Sequence, residues 1–436
     1  MEKLGIPTVT IVTTEFSNLA KVYARASGLP NLCLVIVPHP LGGISRSEVE
    51  EKADNAFREI LTAATQWHSM SGQEPPSPTG VTNRIRFSGT CSELNRWFFE
   101  RRWSHGLPFI PPTISAVEEM LKGTSHAPEE VVWQGVSPRM GILTVEAVAV
   151  CAVMAGCRPE YLPVILAAME AFSNPIVYWE HMQVSTGTQG PFVIVNGPIV
   201  RELARAGDAY SLAWGTGAAG PGHLGNVSIG YAIGLIGYVI GGAVPGTVAM
   251  GTLSSPARTV ASIIAENEEN IPRGWQPFSV EKGFANTESV TSVKVTLPSI
   301  DVHDRYSVTA SQHLNYWSHS INFPYARVMP RNVVIALCPE HAELLARDGL
   351  TKETIRQYLW EHARYPYSAI APSTSPMVKV PDWYVAQYGS VTGSTMIPIT
   401  EKPEGIDIII AGGPGKHSQF FYGGRDVVSV SIDRWR

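Results

Sequence analysis

Along the first 66 residues the spacing of apolar positions changes three times. It alternates from Thr8 to Thr13, is helical from Ser17 to Ser27, runs continuously from Leu32 to Val37 and is helical again from Ser47 to Gln66. That order predicts strand, helix, strand, helix: a βαβα unit, the building block of parallel sheets. The next stretch, Ser69 to Thr79, is dense in Ser, Gly and Pro and predicts a linker. Helical spacing then dominates, with Ser92 to Arg102, Thr144 to Ala155 and Pro159 to Phe172 as the strongest segments. Pro159 and Pro163 stand near one helix start, where a missing amide hydrogen costs least. After Asn332 the alternation returns, predicting strand Val333 to Leu337, helices Pro339 to Arg347 and Lys352 to Ala363, and strands Ile406 to Ala411 and Val427 to Ile432. The expectation is an α/β protein with parallel-sheet α/β regions at both termini and a largely helical middle domain, divided into residues 1–82, 83–300 and 301–436. Absence of any repeat of fixed period argues against a solenoid.

Composition sharpens this picture. A chain of 436 residues, 44% hydrophobic and only 16% charged, predicts two or three packed units with burial that extends into subunit interfaces, hence an oligomer. A net charge of -5 with interspersed Lys and Arg gives no footprint for nucleic acid. Five cysteines, odd in number and set in apolar runs, suit reduced thiols of a cytoplasm, and no signal-like segment opens the chain. One stretch pulls the other way. From Ala209 to Ala257 there is no Asp, Glu, Lys or Arg, and Asn226 to Met250 has the length of a bilayer span. Pro245 interrupts it and basic flanks are missing, so the expectation is a buried core helix and no membrane.

Candidate chemistry follows from the strand ends, where α/β sheets bind ligands. The second strand leads into Pro38-His39-Pro40-Leu41-Gly42-Gly43, a constrained loop presenting one imidazole. Leu337 leads into Cys338-Pro339-Glu340-His341, placing Cys338 at a helix start whose dipole could hold a thiolate; a small buried thiol is the plainer alternative. Ala411 leads into Gly412-Gly413-Pro414-Gly415-Lys416-His417-Ser418, which resembles a phosphate loop without its first glycine and suits a carboxylate or other small anion. Gly220-Pro221-Gly222-His223-Leu224-Gly225 has the letters of a dinucleotide fingerprint but no acidic residue about 20 positions on, so it predicts a turn with a pocket-facing His223. Glu146 is the one charged residue between Gly141 and Gly156, and Glu170 lies in similar surroundings. Such carboxylates must be paired, protonated or functional. His313 and His319 are wrongly spaced for one helical face, and Cys151 and Cys157 for a CxxC pair, so no metal motif and no cofactor is assigned. The catalytic candidates are therefore Cys338, His417, Glu146 and His39, with Gly412, Gly413, Gly415, Lys416, Ser418, His223 and His341 as substrate- or anion-binding candidates.

The opening segments, Gly5 to Val9, Thr14-Glu15-Phe16, Ala26 to Pro30, Val37 to Gly43 and Ser47-Glu48-Val49, resemble the UGSC-like domain, a family related to selenoprotein B of the glycine, sarcosine and betaine reductases. Gly106 to Pro112, Met154 to Tyr161, Pro339 to Ala342 and Gly412 to Ser418 resemble the longer proteins in which that domain is extended. The family's naming motif, selenocysteine or cysteine followed by Gly-Ser-Cys, lies just before the segment where this chain starts, and no Cys-Gly-Ser-Cys occurs in it. The resemblance implies a large subunit that cleaves or forms a carbon–heteroatom bond in a small polar substrate. A companion small subunit would supply the missing thiols, and the two terminal regions would converge on one cavity. Two alternatives stay open: a lyase or hydratase using Glu146 and histidines, and a non-catalytic binding or scaffold subunit.

Overall fold

The computed structural model describes residues 2, 6, 8–66, 84–205, 224–323, 332–370, 382–413 and 415–436; the Ser69 to Thr79 linker and His223 lie outside them. The amino-terminal unit follows its pattern: β1 (Thr10–Thr13), α1 (Ser17–Ala26), β2 (Leu34–Val37) and α2 (Arg46–Thr65), with β1 parallel to β2. α2 begins where it does because the Ser45 hydroxyl accepts from the Glu48 amide while the Glu48 carboxylate accepts from the Ser45 amide. Val35, Val37 and Ala56 close a small core between the pair and α2.

In the middle region α3 (Cys91–Glu100) and α4 (Ile114–Leu121) precede a hairpin, β3 (Val131–Val136) with β4 (Gly141–Thr144), and then α5 (Val145–Met154), α6 (Leu162–Phe172) and α7 (Trp179–Val184). Next come β5 (Gly190–Asn196), α8 (Pro198–Arg205), α9 (Leu224–Leu235), β6 (Ser262–Ala265), α10 (Phe278–Glu281) and β7 (Val290–Thr296). α9 lies within the uncharged stretch and covers only part of it, packed in the core with Ile229, Ala232, Ile233 and Leu235 fully buried. Among the described residues no helix is long and apolar enough to cross a membrane. Its glycines serve close packing: a Cβ on Gly234 would lie 1.9 Å from the Thr259 carbonyl oxygen.

The remaining elements are β8 (Ile300–His303), α11 (Ala310–Ser320), β9 (Val333–Leu337), α12 (Pro339–Arg347), α13 (Lys352–His362), β10 (Arg364–Pro366), α14 (Tyr367–Ile370), α15 (Asp382–Tyr388), β11 (Met396–Pro398), β12 (Ile406–Ile410), β13 (His417–Phe421) and β14 (Val428–Ser431). The protein is α/β, and two four-stranded sheets dominate it, ordered β14-β7-β5-β6 and β12-β9-β13-β8. Both are mixed: β5 runs parallel to β6 and antiparallel to β7, and β9 runs parallel to β12 and antiparallel to β13. The middle region thus sets a sheet among its helices, and the carboxyl-terminal sheet keeps a parallel β9/β12 pair beside antiparallel neighbours. β14 also leaves the carboxyl-terminal region to pair with β7.

Side-chain alternation turns the two sheets into four layers. Val193, Val195, Val293 and Val295 pack against the first helical layer, built from α5, α6 and α9. Val333, Ile335, Leu337, Ile406, Ile408 and Ile410 pack with residues of α11, α12 and α13. The intervening positions meet each other: Phe192, Ile194 and Ile264 contact Val334, Ala336, Ile409 and Phe421, with the Phe192 and Phe421 rings stacked at 4.2 Å. The order is helices, sheet, sheet, helices. Polar side chains share the inner layer. Buried Glu266 accepts from Asn196 Nδ2 at 2.6 Å and the Phe278 amide at 2.6 Å, and buried Asp407 accepts from Lys282 Nζ at 2.7 Å.

Candidate functional site

Three strand ends converge. β9 and β12 end side by side at Leu337 and Ile410, and the end of β6 meets them through a bridge between Glu266 and Ala411. The Asn267 amide donates to the Ile410 carbonyl at 2.7 Å, and Asn267 Nδ2 donates to the Gly412 carbonyl at 2.9 Å. Carboxyl ends of strands are where open α/β sheets leave a crevice. Here it is a cleft of about 670 Å³, walled by Glu340, His341, Glu343 and Arg347 of α12, with Lys416, Arg273 and Glu269 arriving from loops. Charges of both signs face the same space.

A buried hydrogen-bond relay fixes the wall. The Cys338 amide donates to Ser418 Oγ at 3.0 Å, Ser418 Oγ lies 2.7 Å from His341 Nδ1, and His341 Nε2 lies 3.0 Å from the Asp304 carbonyl oxygen. A carbonyl only accepts, so Nε2 carries the hydrogen and Nδ1 accepts from the Ser418 hydroxyl. His313 is held the opposite way round. Trp317 Nε1 donates to His313 Nε2 at 3.0 Å, leaving Nδ1–H to donate to Asp304 Oδ2 at 2.6 Å. The Thr309 capping box starts α11 and sets His313 and Trp317 one turn apart on its inner face.

Electrostatics agree with these tautomers. Burial, with His313 alongside, pushes His341 down to about 4, and burial also lowers His313 against the pull of Asp304. Burial alone would raise Asp304. Hydrogen bonds from Ser307, from His313 and from the Ser307 and Tyr306 amides outweigh it and hold the carboxylate at about 2. The cluster is therefore an anion beside two neutral imidazoles at neutral pH.

The candidates from the sequence fare unequally. Cys338 does occupy the N-cap of α12, but its residue is 2% exposed and burial raises its pKa, outweighing the His341 and Glu340 amides and the Ser418 hydroxyl. Burial therefore favours the neutral thiol over the thiolate that the helix dipole could hold. Gly415, in positive φ, donates its amide to Glu340 Oε2 at 2.6 Å, so the anion on that amide is the protein's own carboxylate. Gly412 and Gly413 form the turn beside it, and Lys416 reaches the cleft while donating to the Arg305 carbonyl at 3.3 Å. His341 and Ser418 sit in the relay. His417 does not line the cleft: strand alternation turns it away from Ser418, and its exposed ring stacks on His303 at 3.8 Å with Nδ1 2.9 Å from Asp301.

His39 and Glu146 belong elsewhere. His39 Nδ1 lies 3.0 Å from Thr13 Oγ1 and its ring packs on Phe16, within the amino-terminal unit. That unit meets the middle region through Asn18 with Thr247 and Tyr23 with Glu180. Among the described residues that line the cleft beside α12, none is His39, Cys338 or His417. Glu146 pairs with Arg84 at 2.8 Å in a separate cleft, and Glu170 accepts from Trp435 Nε1 at 2.7 Å. Asp304 was not singled out from sequence and His313 was weighed only as a metal ligand, because the turn that holds Asp304 meets α11 and α12 only in the folded chain.

Comparison with known proteins places one part of this frame. Residues 1–66 match the model of the UGSC family. The amino-terminal unit is a UGSC-like domain. The matched segment runs from the start of the chain through β1, α1, β2 and α2 to the residue that caps α2, so the cleft at the ends of β6, β9 and β12 lies outside the UGSC-like domain. No curated protein and no solved structure matches the chain.

Proposed function

We propose that this chain is the substrate-holding large subunit of an enzyme that cleaves or forms a carbon–heteroatom bond in a small polar substrate, with the reacting thiol supplied by a companion small subunit. The observation that carries the reading is the mixed-charge cleft at three converging strand ends. Lys416, Arg347 and Arg273 suit a carboxylate, and Glu343 and Glu269 suit an ammonium group on the same molecule. Cys338, buried and protonated, is a positioning residue whose amide orients Ser418, and this is why the reactive thiol is assigned to a partner. The UGSC-like domain supports thiol chemistry through its relation to selenoprotein B-like reductases. Five free cysteines suit a reducing cytoplasm.

The test is calorimetric titration of the full chain with sarcosine, glycine and glycolate. Saturable binding is expected for at least one of them, weakened tenfold or more by Lys416→Ala and by Arg347→Ala, each removing one charge-assisted hydrogen bond worth about 1.5–3 kcal/mol. Binding that both substitutions leave unchanged, or none of the three binding at millimolar concentration, would reject the cleft as the substrate site. Adding the product of a neighbouring small reading frame should create turnover that neither protein shows alone.

A further inference from the structure

A second cleft, of about 650 Å³, shares no lining residue with the first. It lies where α3 and the segment before it cross α5. Its walls are aromatic: Trp97 and Trp103 meet edge to face at 5.2 Å, Phe98 lies 5.8 Å from Trp97, and Phe87 lies 5.5 Å from it. The faces of such rings carry negative potential and attract cations. Glu146 is the only carboxylate among the described lining residues, and its side chain is 14% exposed. A carboxylate this enclosed in apolar walls requires a positive partner. Its present partner is Arg84, at 2.8 Å, on a strap whose side chain is 53% exposed. The positive charge therefore reaches Glu146 from a half-exposed side chain and is not built into the wall.

We propose that this cleft is a binding site for a small organic cation with an apolar body, an arylalkyl-ammonium, whose ammonium group takes the place of the Arg84 guanidinium on Glu146. The exchange is favourable because a half-exposed ion pair holds Arg84 only weakly, while the ligand buries an apolar body that Arg84 does not have. Glu146 is then a recognition residue. The inference does not depend on the reading of the first cleft, which offers side chains of both signs and no aromatic wall.

The experiment is calorimetric titration of the full chain with 2-phenylethylammonium and with 2-phenylethanol, its neutral counterpart of the same shape. The ammonium is expected to bind at least tenfold more tightly than the alcohol, Arg84→Ala to tighten it severalfold, and Glu146→Gln to bring it down to the level of the alcohol. Equal affinity for the two probes, or no saturable binding of the ammonium up to 10 mM, would overturn the proposal. The wild-type comparison and Arg84→Ala decide the matter even where Glu146→Gln fails to fold. Sarcosine binding, measured on the same variants, should be unchanged, which separates the fate of this site from that of the first.

Discussion

Replacing His341 by Gln tests whether the buried relay holds a neutral imidazole. In the folded chain burial pushes His341 down to about 4, against an ordinary value of 6.5. A lowered histidine value means that the unfolded chain binds the proton more readily. Its contribution is fully present above pH 6.5 and is lost as the pH falls towards 4. At pH 5 nearly all unfolded rings would be protonated but only about one-tenth of folded ones, so moving from pH 7 to pH 5 should cost about 2 kcal/mol through this residue alone. His341 is 1% exposed, so solvent screening takes little from that figure. His313, Asp304 and Lys416 all act on the ring, and His313 titrates in the same direction, so the informative quantity is the difference between wild type and variant. Amide hydrogen exchange of peptides covering β9 and α12, followed at pH 7, 6 and 5 with correction for intrinsic rates, gives the local opening free energy. Wild type should lose about 2 kcal/mol more than His341→Gln over that interval. The variant should start lower at pH 7, by about 1–3 kcal/mol, because the Ser418 hydroxyl and Asp304 carbonyl lose well-placed partners. Parallel pH dependences in the two proteins would refute a neutral, buried His341.

Three further outcomes follow from the packing. Lys294 is 1% exposed and burial lowers it to about 8 from 10.5, so its stability contribution is complete only above the higher value and is lost as the pH falls through 8; at pH 7 it costs about 3 kcal/mol, and Lys294→Met should leave the thermal midpoint unchanged or raise it. A fall of several degrees would show that its attraction to Asp407 outweighs desolvation. With iodoacetamide at pH 7 the native chain should be alkylated at exposed Cys91 and not at Cys338, as peptide mapping would read; rapid labelling of Cys338 would show a reactive thiolate there instead. Gly234→Ala should lower the unfolding free energy read from urea titration by about 2 kcal/mol or more, since the added methyl meets the Thr259 carbonyl backbone at 1.9 Å and neither side can yield cheaply.

Local periodicity and end signals were enough for many elements. β9 and α12 fall on the bounds expected from Val333 to Leu337 and Pro339 to Arg347, and the βαβα order of the first 66 residues holds because each of its segments carries its own spacing and caps. The middle sheet escaped because β5 and β7 are buried along their whole length, and a strand covered on both faces shows no outward polar period to set it apart from a buried helix. Lys294 made β7 harder still to read, since a lysine in alternation suggests water and here faces the inner layer.

What the sequence determined by itself was local: α/β character, most element bounds, a UGSC-like opening, and reactive groups at the starts of the right loops. Tertiary structure alone decided which of those groups meet. β14 reaches β7, Gly415 hands its amide to Glu340, and Ser418 ties Cys338 to His341, each across a separation in sequence that no period records. The same burial that assembles the relay removes water from Cys338 and the two histidines. Desolvation therefore sets their protonation, and it depends on neighbours contributed by distant parts of the chain.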